Sequence, residues 1–228
     1  MQPYFLPYIG YWQLMHYVDT FVIYDNVEYT KKGWINRNRF LSNGHDQIFS
    51  IPLRKDSDRL DVMQRRVAET FPLEKQKLIR RFESAYRKAP FFDQGIGLLK
   101  SALASEESNL FLVIYQSIRS ISEALGISTQ LVISSSLNVD VSLKGQDRVI
   151  ATCLALRASE YINPIGGLAL YKKDAFENSG LILNFQRVKP YQYNQFDHPF
   201  VSHLSIIDVV MFNGVQGTQR LLEEMEVF

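Results

Sequence analysis

Residues 20–24, Thr-Phe-Val-Ile-Tyr, are β-branched or aromatic without a break, the pattern of a buried strand. The residues just before, 13–18, suit a short helix that Asp19 ends, so the chain opens as loop, helix, strand. Residues 47–53 read as a second strand, with Asn43-Gly44 as the turn ahead of it. Between the two lies a turn-rich basic stretch, 25–39. From 61 to 125 the period becomes helical. Leu78, Phe82 and Ala85/Tyr86 recur at one-turn spacing before Pro90 stops that helix. Leu110, Val113/Ile114, Ser117/Ile118, Ile121 and Leu125 mark another, closed by Gly126. Beyond Gly126 strand and helix alternate: strand 129–134, helix 147–158, strand 160–163, helix 171–178 and strand 181–188. Strands and helices alternating at this length imply βαβ units. The expected fold is therefore α/β: a mostly parallel, Rossmann-like sheet with flanking helices, forming one domain over 1–228 with an all-helical insertion at 61–125. No internal repeat or low-complexity tract interrupts it.

Composition narrows the function classes. With 46% apolar and 21% charged residues over 228 positions, the chain has apolar surface enough to fold, which argues against disorder. A net charge of +1 gives no global field for binding DNA or RNA, and no specific DNA binding is expected. Residues 54–88 carry 11 basic and 6 acidic side chains, best read as a solvated helical face. The single cysteine, Cys153, excludes an internal disulfide and reads as an inert core thiol. No signal peptide or membrane span is expected: the longest strongly apolar run, 110–115, is far short of the ~20 residues a span requires. A soluble cytoplasmic protein follows as the expectation. The acidic tail, Glu223-Glu224 and Glu226, reads as an exposed helix end.

The candidate chemistry gathers where the strands end, since open parallel sheets bind ligands at their carboxyl ends. Residues 31–39 hold four cations, Lys31, Lys32, Arg37 and Arg39, with no acid, together with Trp34, Asn36 and Asn38. Such a loop offers bidentate donors for phosphate or carboxylate and a flat face for a base or sugar. The strand at 129–134 leads to Ser134-Ser135-Ser136 and on to Arg148; the next leads to Gly166-Gly167. The hydroxyls suit a cap as well as a phosphate, and the glycines suit an ordinary turn as well as a ligand. Walker A, G-x-G-x-x-G and G-x-S-x-G patterns are absent, and His16, His45, His198 and His203 lack metal-site spacing, so no metal or cofactor is expected. Asp25, at a strand end, and Asp208, behind an apolar segment, are the acids to test as a base; His203 is the alternative. Aromatic residues, 13% of the chain, crowd residues 4–34 and 191–200, and those not needed for the core read as walls of a cleft.

These same residues carry a resemblance. The opening Gln2-Pro3-Tyr4-Phe5-Leu6-Pro7-Tyr8-Ile9-Gly10-Tyr11 is similar to the signature of the WbqC-like protein family. So are Phe21-Val22 with Tyr24-Asp25, then Trp34 to Arg39, Ala89-Pro90-Phe91-Phe92, Ser135-Ser136, 163–167 and Leu204-Ser205-Ile206-Ile207-Asp208. The family signature is usually preceded by a few apolar residues forming a first strand. Here Met1 stands directly before it, so a central strand and the anchor of loop 2–11 are expected to be lacking. The resemblance implies bacterial O-antigen and surface-polysaccharide biosynthesis, with transfer of an amino acid, glycine in particular, to a nucleotide-linked amino sugar. It implies that Gln2, Tyr4, Gly10, Tyr11, Ser135, Ser136, Gly166, Gly167 and Ser205 bind substrate, and the strand-end reading adds Arg148 to them. On that reading Lys31, Lys32, Arg37 and Arg39 neutralise the two phosphates, with Asn36 and Asn38 beside them, and Trp34 or Tyr29 stacks on base or sugar. Asp25, Asp208 or His203 takes the proton of the acceptor amine. The donor stays open between a carrier thioester, an aminoacyl-tRNA and an adenylate. The loop–helix–strand opening is also similar to nucleotidylyltransferase-like folds, although both histidines of their H-x-G-H motif are missing and Tyr11 follows the glycine. The alternatives are therefore an ATP-dependent ligase or nucleotidyltransferase, and a non-catalytic sugar-nucleotide-binding subunit.

Overall fold

A computed structural model describes residues 1–57 and 59–228. Helix α1 (Ile9–Tyr17) is buried on nearly every side and leads into β1 (Thr20–Ile23), which pairs in parallel with β4 (Gln130–Ile133), Ile23 opposite Ile133. Between them come the hairpin β2 (Arg37–Ser42)–β3 (His45–Ser50) and helices α2 (Phe71–Tyr86), α3 (Phe92–Ala102) and α4 (Leu110–Ala124). After β4 follow α5 (Gly145–Ala155), β5 (Glu160–Pro164), α6 (Lys173–Glu177), β6 (Ile182–Val188), α7 (Ile206–Leu222) and β7 (Met225–Val227). Strand β6 pairs in parallel with β5 and antiparallel with β7.

The local reasons follow from sequence. Asn109 caps α4 by accepting the Leu112 N–H at 3.2 Å. Gly126, at φ +68°, closes the helix as Ile127 N–H returns to the Ser122 carbonyl. The Asn43-Gly44 turn, φ +51° and +77°, is the two-residue connection whose twist suits a hairpin. Leu78, Phe82 and Tyr86 fill the inner face of α2; Phe82 stacks on Phe40 of β2, with Tyr86 tilted beside it. The main core joins α1–α4, α7, β1 and the hairpin; a smaller one forms around Phe176, Leu181, Leu183 and Val149.

Three differences from the sequence expectation stand out. The chain is α/β, but its sheets are small: β1–β4, β2–β3 and β5–β6–β7, rather than one mostly parallel Rossmann-like sheet. Among the described residues no strand lies between β1 and β5. A cavity of about 420 Å³ occupies that place, lined by Leu14, Tyr17, Val149, Cys153 and Tyr161. Met1 stands at its end: its amine donates to the Val22 carbonyl at 2.6 Å and its carbonyl accepts the Tyr24 N–H at 2.9 Å, a single parallel bridge opposite Ile23. Second, Arg37–Ser42 is a strand rather than part of a loop. Its outward positions are arginines and its inward ones Asn38 and Phe40, so polarity hid the alternation. Third, the acidic tail is an exposed helix end only in its first part: Glu223 caps α7, whereas Glu226 lies on the edge strand β7, with Glu226 on Arg187 and Glu224 on Lys189. Among the described residues no helix is long and apolar enough to cross a membrane.

Candidate functional site

Two clusters of polar side chains form at the ends of the elements above, joined by residues 1–8. The first sits at the carboxyl ends of β1 and β4. Asp25 is buried, and its carboxylate accepts Ser135 N–H at 3.0 Å, Ser135 Oγ at 2.6 Å and Ser134 Oγ at 2.9 Å. Ser134 Oγ also lies 2.5 Å from Asn26 Oδ1, which the Arg148 guanidinium holds from the other side while lying over the Tyr24 ring. Asp25 thus stitches one strand end to the other, all its strong donors coming from the protein. Ser136 turns back to the Ile133 carbonyl at 2.7 Å.

The second cluster is built by three segments held edge to edge. Phe5 N–H donates to the Ile35 carbonyl, Ser205 N–H to the Arg39 carbonyl and Ile206 N–H to the Pro7 carbonyl. Asn38 Nδ2 donates to the carbonyls of Phe5 and Leu6 at 3.2 and 2.6 Å, holding Leu6 at φ +48°. Ser205 caps α7, and Asp208 in its first turn is wholly buried. That carboxylate accepts Tyr86 OH at 2.7 Å, Tyr193 OH at 2.6 Å and Gln195 Nε2 at 2.9 Å, so it anchors the aromatic loop 189–205 to α2 and α7. Burial pushes Asp208 up to about 6, against the pull of its three donors.

On the outer side of this frame stands His203. Its backbone is at φ +58°, a conformation that costs a non-glycine residue about 1–3 kcal/mol. Arg39 Nη2 donates to its carbonyl at 3.2 Å. The exposed imidazole lies on Tyr8, ring centroids 5.5 Å apart, with Nδ1 2.8 Å from Ser202 Oγ. Gly10 makes this possible: a Cβ there would stand 2.6 Å from the Tyr8 ring. Arg39 also pairs with Asp46 at 3.0 Å, and the Arg37 guanidinium donates to the Lys32 carbonyl. Trp34 covers both arginines, 5.3 and 5.6 Å from its ring centroid.

Of the residues singled out in the sequence, Trp34, Arg37, Arg39 and His203 come together here, with Lys32 adjoining through its carbonyl. Asp25, Ser135 and Arg148 meet at the other cluster. Gln2 lies between the two, its side chain accepting Tyr4 OH at 3.0 Å and its carbonyl Tyr11 OH at 3.3 Å. Tyr11 is in the core, as is Tyr29, whose hydroxyl donates to Asn36 Oδ1 while Asn36 Nδ2 donates to the Ile51 carbonyl. Lys31 is exposed. Gly167 packs against the Asn163 side chain and Gly166 is exposed with open space around it, both after β5. Tyr8 and Tyr191 stood out in the sequence only as members of the aromatic clusters at 4–34 and 191–200, and Asn26 carried no signal of its own. Among the described residues no group of three or more His, Cys, Asp or Glu is placed to hold a metal ion. Burial raises the Cys153 thiol to about 11, that of an inert group.

Fold and site together define an α/β protein of small sheets that carries a surface cluster of two arginines and an indole beside His203. The chain belongs to the WbqC-like protein family, whose sequence model matches residues 2–220. It is also similar to "Uncharacterized protein Rv1507c" of Mycobacterium tuberculosis (strain ATCC 25618 / H37Rv), 25% identical over 223 residues, 97% of this chain and 95% of that one. No solved structure matches it.

Proposed function

We propose that the protein is an acyl transferase that joins an activated amino acid of the glycine type to the amino group of a nucleotide-linked amino sugar, for O-antigen or a related surface polysaccharide. The observation that carries this reading is a guanidinium pair under one indole, tied through Arg39 to the backbone carbonyl of His203, whose imidazole is exposed. Guanidinium forks suit the diphosphate, and the indole suits the base or the sugar face. Of the three candidate bases, His203 is the one whose ring stands free on the outer side; Asp25 and Asp208 each spend their oxygens on protein donors. The neutral acceptor amine attacks the acyl carbon, forming the amide C–N bond. The bond from that carbon to the donor's sulfur or oxygen breaks, and its electron pair leaves with that atom. In the tautomer whose Nδ1–H donates to Ser202 Oγ, 2.8 Å away, the Nε2 lone pair of His203 takes the amine proton and returns it to the leaving group. Asp25 and Asp208 act as positioning residues.

The test is amide formation from glycine presented as a carrier thioester or aminoacyl-tRNA, with a nucleoside-diphosphate amino sugar as acceptor. His203→Asn should lower kcat by about 10²–10⁴-fold with KM little changed. ATP/pyrophosphate exchange dependent on an amino acid would instead make the protein a ligase. Sugar-nucleotide binding without turnover from any donor would make it a binding subunit.

A further inference from the structure

Residues 37 and 39 are two apart on β2, so both guanidiniums stand on its outward face, side by side. Like charges so placed repel unless an anion lies between them. Asp46 answers Arg39. Among the described residues Arg37 has no carboxylate partner, only the Lys32 carbonyl. The Nε–H groups of both are buried without an acceptor, although each belongs to the edge with which a guanidinium grips an oxyanion in bidentate fashion. Over both guanidiniums lies a single indole, 40% exposed, its ring centroid 5.3 and 5.6 Å from the two guanidinium carbons. It rides on a short segment, 31–36, whose turn closes through Gly33 N–H to the Thr30 carbonyl at 3.0 Å. A ring face attracts a cation but accepts no hydrogen bond in the guanidinium plane, so the contact holds the charges without satisfying their donors.

We propose that Arg37 and Arg39 form a diphosphate subsite that Trp34 caps when empty and uncovers when a diphosphate binds. The diphosphate takes the open Nε–H edges, the indole moves off the cation pair, and its face becomes available to the ring attached to that diphosphate. The Asp46 and His203-carbonyl contacts of Arg39 use its Nη atoms and persist in both states. This rests on the sugar-nucleotide reading above and adds to it an order of events: the diphosphate docks first and thereby creates the stacking platform.

The chain's own fluorescence tests it with inorganic pyrophosphate as the probe. The other tryptophan, Trp12, is fully buried with its indole N–H on the Pro7 carbonyl, so a change in emission reports Trp34. Pyrophosphate should produce a saturable shift of emission to longer wavelength. Arg37→Ala should weaken that response about ten-fold or more, and Trp34→Ala, followed by calorimetry, should bind pyrophosphate about five-fold more tightly because no cap need be displaced. If pyrophosphate binds with unchanged emission, and Trp34→Ala binds it no more tightly, the cap is wrong while the site reading stands. If neither the unmodified chain nor Trp34→Ala binds pyrophosphate at millimolar concentration, both fall. The fluorescence arm uses the unmodified chain, so it survives a variant that fails to fold.

Discussion

Single residues here separate support from chemistry. Asp208 is the clearest case: wholly buried, hydrogen-bonded three times, and raised to about 6 by burial. A carboxyl raised on folding binds its proton more tightly in the folded chain than in the unfolded one, whose value is near 3.8. Its contribution to stability is therefore fully present below the unfolded value and is lost as pH rises through about 6. The difference corresponds to about 3 kcal/mol at most. Urea unfolding between about pH 4 and pH 7.5 should show stability falling with pH through this window, and Asp208→Asn should remove that slope. An identical slope in both proteins would assign the titration elsewhere. Gly10 gives the opposite kind of test. Gly10→Ala pushes on the far end of the Tyr8 side chain, which can give way, and helix propensity gains up to about 1 kcal/mol at that position. The melting temperature should hold while transfer activity falls by about ten-fold, because Tyr8 no longer backs His203.

Among the elements, α7 carries the most. It starts at Ser205 beside the site, runs through the core, and kinks at Gly214, φ +66°, where a Cβ would lie 2.8 Å from the Phe91 ring. Gly214→Ala combines a left-handed backbone with an aromatic clash and should lower unfolding free energy by about 2 kcal/mol or more, read by denaturant titration. A loss under about 0.5 kcal/mol would mean that the kink relaxes freely. The elements also show what the sequence could tell. Helix α4 was legible from its apolar spacing and its closing Gly126, and β1 and β6 from their apolar and β-branched runs. Strand β2 was hidden because its outward positions are the cations Arg37 and Arg39 and one inward position is Asn38, so polarity blurs the strand pattern. Residues 31–39 were legible as a cationic, aromatic segment, but the role of Asn38 was not. It clamps the Phe5 and Leu6 carbonyls, a partnership across 32 residues or more that no local pattern encodes. The same holds for Tyr8 against His203.

At the scale of the molecule, the α/β alternation after Gly126 was legible, but the single sheet inferred from it was not realised. Parallel strands join one sheet only through neighbours, and the place between β1 and β5 is a cavity with Met1 bridging at one end. An extension of about six residues of alternating Val and Ile built ahead of Met1 should pair with both edges, raise the melting temperature and slow exchange of the Val22 and Ile162 amides. The same extension with proline at its centre, unable to donate to the ladder, should do neither. Equal behaviour of the two extensions would show that the cavity takes no strand.

The central claim is that Arg37, Arg39 and Trp34 on the rim beside His203 bind a nucleotide-linked amino sugar. Calorimetry of a nucleoside-diphosphate amino sugar against the unmodified chain and the Arg37→Ala/Arg39→Ala pair tests it most directly. The account predicts saturable binding to the first and a loss of about 100-fold in the second, with melting temperatures matched. Equal affinity for the two proteins, or no binding to either, would contradict it.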